Sequence, residues 1–391
     1  MLGHSNVFDY EETYGLQTIR DNIDLLTPKL LAAVNEVVVG EGHNIINIKK
    51  ENLKTRCDSA VTKTDTHYPT DINLLWDAMR KSIVLIGNLS NELEFTTWRQ
   101  AQSQLNKIHQ LYYACSQKSC KAGKDGLFNP NTLNTYDEYL TKSEHLIEKI
   151  NETLEDFKCI NLSVMQHAKI HDIKTWTYDA EYQIGLIVRR IFGGEKIPHH
   201  DKIHSLFERH TEWISKGKSG VSQELGLRVA ILEDQFGFIL SHRIMQNETD
   251  EKVPVKIIKD ALKQYPNIVS CSFDKGFWTK QNRIDLEEIL DIVAMKKKGY
   301  SSKENYKYEH STEFLKGKKG HSAVESAFSA LQNHGLNKCC DKGIHRFQRH
   351  VGSCIVARNI QKLGRVLINR ESEATIRSEK IKAGLAKKKS A

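Results

Sequence analysis

Strand-like alternation is confined to two regions of this chain, with a long stretch of helical periodicity between them. In LKTRCD, Leu53, Thr55 and Cys57 alternate with Lys54, Arg56 and Asp58, the two-residue period of a half-buried strand that ends at Asp58. From Asp71 to about Ser215 the apolar residues fall at helical spacing: Trp98, Ala101, Leu105, Ile108, Leu111 and Tyr112, then Tyr136, Tyr139, Leu140, Leu146, Ile147, Ile150 and Leu154. Pro198 precedes a last helix carrying Ile203, Leu206, Phe207 and Trp213. Beyond the break KGKSG, LGLRVAILEDQFGFILSHRI predicts hairpin strands at about 225–232 and 236–244. A helix at about 254–264, the strand NIVSCSFD ending at Asp274, a helix through Leu286 to Leu290 and the strand DIVAMKKK follow. Strands alternating with helices predict a mixed α/β core, interrupted after its first strand by a long helical insertion.

The flanks are helical. Ile23, Leu26, Leu30, Leu31, Val34, Val37 and Val38 make a helix pair before the first strand, closed by Gly40 and Gly42. HSAVESAFSALQNHG puts Val324, Phe328 and Leu331 on one helical face with Glu325 at its edge. GSCIVARNIQKLGRVLINR carries the apolar stripe Val356, Ile360, Leu363, Leu367, with Arg358, Lys362 and Arg365 on another face, ahead of a lysine-rich tail. The expected division is an N-terminal helical region 1–50, a core of 51–70 and 216–340, a helical insertion 71–215, and a C-terminal helix and basic tail 341–391.

Lys and Arg outnumber Asp and Glu 57 to 49, a formal +8 that suits a polyanionic partner. The longest apolar run, SIVLIG, is far short of the roughly 18 residues that cross a bilayer, and no signal peptide opens the chain, so the expected location is the cytosol with no membrane contact. The eight cysteines lack the dense spacing of a disulfide scaffold and are expected to be reduced. His334, Cys339, Cys340, His345, His350 and Cys354 cluster without the C-x2-C and H-x3-5-H order of a zinc site.

Three carboxylates carry the chemistry. Strand ends of an α/β sheet converge on one crevice, and Asp58 and Asp274 both hold that position. Glu325 follows on a helix able to cross the sheet. Such an oxygen-only set suits Mg2+ or Mn2+, and two such ions would serve displacement at phosphorus. Solvated surface acids remain the alternative. In CDSAVTKTDTHYPTD, Thr70 or Asp71 can cap the helix from Ile72, and Asp65 has no assigned role. Around the second aspartate, Lys275, Lys280, Asn282, Arg283 and the run Lys296, Lys297, Lys298 are DNA-contact candidates, as are Arg358 and Lys362; a solvated basic face is the alternative for each. Trp278 either stacks on a base or packs.

The elements DSAV, HYPTD, SFDKGFWTKQN, MKKKG and HSAVESAFSALQNHGL, with RRIFGGEKIP and KIHSLFERHTEWISKGK in the helical region, occur in the order found in bacterial insertion-sequence transposases of the DDE type. The chain resembles the ISNCY group of these from about Tyr14 to Arg365. The resemblance implies an RNase H-like catalytic core with the helical insertion after its first strand, the triad Asp58, Asp274 and Glu325, and a pair of Mg2+ or Mn2+ ions. It further implies cleavage at element ends, strand transfer of the freed 3′-OH into target DNA, terminal inverted repeats as partner, a homo-oligomeric synaptic complex, and a bacterial cytosolic protein associated with the nucleoid. Where similar sequences often carry arginine one turn before the glutamate, this chain has His321, which would share the face of Glu325 and either hydrogen-bond DNA as a neutral ring or be a helix-surface histidine with no function. His67 and Tyr68 either line the crevice or pack beneath the sheet. Similar transposases carry a helix-turn-helix-like region ahead of the core; with about fifty residues before the first strand, a shortened recognition part is expected. An RNase H-like nuclease or resolvase and an inactive DNA-binding remnant of a mobile element are the alternative functions.

Overall fold

The computed structural model describes residues 14–46, 52–118, 128–215, 223–300 and 302–389; the break KGKSG lies outside them. The chain forms two compact units, one made of the residues up to Asp65 and from His210 onward, the other of Thr66–Arg209.

In the first unit, α1 (Leu16–Asp24) and α2 (Pro28–Ile46) precede β1 (Leu53–Thr64). Gly40 and Gly42 do not end the helix as expected but lie inside α2. Gly42 is there because the Phe238 ring lies against it: a Cβ would stand 2.3 Å from the ring's Cζ.

The second unit is built on α3 (Asp71–Glu92), α4 (Ala101–Ser116), α5 (Pro130–Asp156) and α6 (Val164–Ile187). Of the expected stripe, Ile108, Tyr136, Tyr139 and Ile150 are fully enclosed in this unit's own core, joined by Ile83 and Ile86 of α3, while Ala101, Leu105, Leu111 and Tyr112 are half-buried against it. Thr70 caps α3, its Oγ1 accepting from the Asn73 N–H at 3.2 Å. Asp71 instead pairs with Arg190 Nε at 2.6 Å.

Back in the first unit come β2 (Glu212–Ser215), β3 (Gln223–Asp234), β4 (Ile239–Met245), α7 (Pro254–Leu262), β5 (Ile268–Phe273), α8 (Lys280–Glu287) and β6 (Ile292–Met295). Then follow α9 (Lys303–Glu309), α10 (Thr312–His321), α11 (Ala323–Asn333), β7 (Lys338–Cys339) and α12 (Ile344–Lys389). The helix expected after Pro198 does not form: Ile203, Leu206 and Phe207 lie in irregular chain after the single turn His199–Asp201, and Trp213 is in β2, where aromatic and β-branched residues suit the pleated surface that the edge of β3 offers. The Thr64 and Thr211 hydroxyls meet at 2.9 Å, tying the end of β1 to the start of β2.

The seven described strands form one mixed sheet. Its path is β2-β3-β1-β5-β6; β4 shares β3 and β7 shares β1. β1 runs antiparallel to β3 and parallel to β5, and β5 parallel to β6. Period two puts Leu53, Thr55 and Cys57 on one face of β1, with Leu232, Cys271, Phe273, Val293 and the α7 side chains Ile257 and Ile258. The opposite face carries Leu227, Val229 and Ile231, covered by Val324, Phe328 and Leu331 of α11 and by Phe347, Val351 and Ile355 of α12. The stripe expected on α12 is thereby displaced: Ile360 and Leu367 are exposed, while Asn359 is fully buried and bonds Asn35 of α2 at 2.7 Å.

Candidate active site

β1 is longer than expected, so Asp58 lies in its middle and not at its end. What matters is where its neighbours stop. β5 pairs along β1 only as far as Cys57 opposite Phe273, and β7 joins again at Lys63. Asp58 and Asp274 are therefore the next residues on two parallel strands about 4.8 Å apart. Cys57 and Phe273 point into one core, so period two turns Asp58 to the opposite face, which α11 covers.

The turn after β5 is pinned from below. Phe277 is 1% exposed and its ring lies 5.9 Å from that of Phe273, anchoring Asp274–Phe277 while Asp274 stays exposed. On the other side, Val324, Phe328 and Leu331 fasten α11 to the sheet and leave Glu325 exposed in its first turn. Asp58, Asp274 and Glu325 line a single cleft of about 590 Å³, together with Ser59, Arg228, Asp250 and His321.

The donor chemistry of the three carboxylates fits a hard, oxygen-preferring cation. Among the described residues, however, no three His, Cys, Asp or Glu side chains form a ready-made metal-binding group. Neither Asp274 nor Glu325 has a basic side chain in salt-bridge contact among those residues, so both remain available to a cation.

His321 and Glu325 do not share one helix. Ser322 separates α10 from α11, placing His321 at the last turn of one and Glu325 in the first turn of the next. His321 still lines the cleft, with Nδ1 3.2 Å from Ser272 Oγ. Burial holds its pKa below the usual histidine value and the Arg56 charge adds to this, against the pull of Asp274 and Glu325; the ring is neutral at pH 7.

The basic candidates lie elsewhere. Lys275 and Lys280 are exposed beside the Asp274 turn. Asn282 donates to the Glu251 and Phe277 carbonyls at 2.7 and 2.9 Å, and Arg283 bonds Glu287 and Asn305 while lying over the Tyr308 ring. Both hold local structure. The Lys296 side chain is half-buried, Lys297 lies over the Trp278 ring at 5.7 Å, and Lys298 pairs with Glu251 at 3.1 Å. Trp278 itself packs against the core on the face away from α11. Arg358 does not face DNA as expected: at 9% exposure it is turned inward and offers DNA no surface. Lys362 is half-buried near Gly237 in the β3–β4 turn. His67 belongs to the other unit, 3.3 Å from Asp77, and Asp65 pairs with Lys338 at 2.6 Å.

Sequence reasoning missed Ser59, Arg228 and Asp250. Ser59 was legible, as the residue after Asp58. Asp250, in the polar stretch QNETDEK, carries no local signal that its turn folds back beside β1. Comparison with family models, with curated proteins and with solved structures gives no match.

Proposed function

We propose that this protein is a metal-dependent DNA transposase with an RNase H-like core, cutting at the ends of an insertion element and joining them to target DNA. One observation carries the reading: an aspartate from β1, an aspartate from the end of β5 and a glutamate from α11 line the same cleft. The strand order β4-β3-β1-β5-β6, antiparallel on one side of β1 and parallel on the other, supports the RNase H-like part. The ordered motifs from DSAV to HSAVESAFSALQNHGL support the transposase part.

In this reading Asp58, Asp274 and Glu325 hold two Mg2+ or Mn2+ ions. Such ions, when bound, stabilise charge on the attacking and leaving oxygens of an in-line displacement and acidify the attacking water or 3′-hydroxyl. The chain's own part is positioning. β1 and the Phe277-anchored turn fix the two aspartates, and α11 brings the glutamate to the same cleft. Neutral His321, tethered through Nδ1 to Ser272, keeps Nε2 for a hydrogen bond to the scissile phosphate. Lys275 and Lys280 are the exposed lysines that would follow the DNA backbone beside Asp274. The partners are terminal inverted repeats and target DNA, bound by a homo-oligomer in the cytosol.

The test uses the purified chain, Mg2+ and a plasmid carrying the DNA that flanks its reading frame. Strand nicking at the flanks and joining of pre-nicked ends into a second DNA are expected. Asp274→Ala should lower nicking at least about a hundredfold with DNA retention unchanged; wild-type cutting by that variant would falsify the assignment.

A further inference from the structure

Where β1 leaves β5 behind it stays paired with β3, Ser59 opposite Ala230, but its other edge is open. Between Cys57, the last residue paired with β5, and Lys63, the first paired with β7, that edge of β1 has no strand partner among the described residues. Ser59 sits in the gap. Its backbone N–H donates to Asp58 Oδ1 at 2.7 Å, and its hydroxyl donates to Asp250 Oδ1 at 2.7 Å. One serine thus links two carboxylates from distant parts of the chain.

Asp250 is placed for this. It begins the single turn Asp250–Lys252 that follows β4, and it lines the cleft with Asp58, Asp274 and Glu325. Gly276 of the Asp274 turn lies beside it: a Cβ there would stand 3.5 Å from Asp250 Oδ2, in ordinary contact. No basic side chain pairs with Asp250 among the described residues, so the Ser59 hydroxyl is the donor its carboxylate has. A charged acceptor makes that hydrogen bond stronger than a neutral one would.

We infer that Asp250 is a positioning residue of the cleft, acting through Ser59 to hold the β1 edge and the Asp58 carboxylate in the orientation that receives a divalent cation. The inference rests on the proposed role of Asp58 as a ligand. Removing a group that orients a ligand typically weakens metal affinity about 10–100-fold.

The experiment is calorimetric titration of the full chain with Mn2+ alone, comparing wild type with Ser59→Ala, Asp250→Asn, both together, and Ser59→Thr. Each single variant is expected to weaken Mn2+ about tenfold, the double variant no further than either, and Ser59→Thr to keep wild-type affinity because it keeps the hydroxyl. Losses that multiply to about a hundredfold in the double variant would mean that Asp250 acts on the ion independently, and overturn the inference. So would an unchanged affinity in either single variant, or no Mn2+ binding by the wild type. If Asp250→Asn does not fold, the contrast between Ser59→Ala and Ser59→Thr decides alone, equal affinities counting against it. DNA nicking is scored separately. Coupled Mn2+ losses in a chain that never nicks leave the positioning role standing and remove the transposase reading; nicking with no Mn2+ effect does the reverse.

Discussion

A single residue's fate in this protein is set by which side of β1 or β4 it occupies. His242 on β4 stands opposite Ile231, and burial of the ring depresses its pKa to about 4. The sign follows from the neutral form being the one the fold accepts. The unfolded chain takes up a proton near pH 6.5 and the folded one only near 4, so His242 favours folding fully above pH 6.5 and loses that contribution as pH falls toward 4. The expected slope is at most about 1.4 kcal/mol per pH unit within that window. Urea midpoints measured at pH 7 and pH 5 should converge for His242→Leu relative to wild type; an equal drop in both would show that the acid sensitivity lies elsewhere. Alternation along LKTRCD was enough to place Cys57 inward and Asp58 on the other face. The inward turn of Arg358 was not legible. α12 has partners on two sides, with Asn359 bonded to Asn35 of α2 and Ile355 against the sheet, and a helix buried on two sides no longer shows one clean apolar stripe.

Elements explain the rest of the site. α2 runs through Gly40 and Gly42, and residue 42 is glycine because Phe238, just before β4, fills the space a side chain there would take. Gly42→Ala trades a small gain in helix propensity for a clash that the ring must yield to. A net loss of about 1–3 kcal/mol is expected in denaturant unfolding; a stabilised variant would show that the ring moves freely. The turn that presents Asp274 depends on Phe277 in the core below it, so Phe277→Ala should cost about 3–5 kcal/mol and weaken Mn2+ binding beyond what the loss of folded protein explains. Strand β2 was unreadable for a different reason. EWIS is four residues long, too short for a period to show, and it becomes a strand only because the edge of β3 accepts it. The division between α10 and α11 at Ser322 was equally hidden, since alanine, serine and glutamate around it all suit a helix.

At the scale of the whole molecule, two units with separate cores should unfold separately. The cluster around Ile83, Tyr136 and Ile150 contains only residues of Thr66–Arg209, and the two clusters flanking the sheet contain none of them. Scanning calorimetry is expected to resolve two transitions, with Ile83→Ala, at a cost of about 2–5 kcal/mol, lowering one and Ile231→Ala lowering the other. A shift of both by either substitution would show that the units unfold as one. No helix among the described residues is long and apolar enough to cross a membrane. Period alone sufficed to separate a helical insertion from a strand-bearing core and to mark the faces of β1, because side-chain alternation is a local property of the backbone. The ordered motifs singled out Asp58, Asp274 and Glu325. That the three line one cleft, with Asp250 and Ser59 beside them, was decided by strand register and by helices docking on the sheet. Those contacts join residues hundreds of positions apart, and no local pattern encodes them.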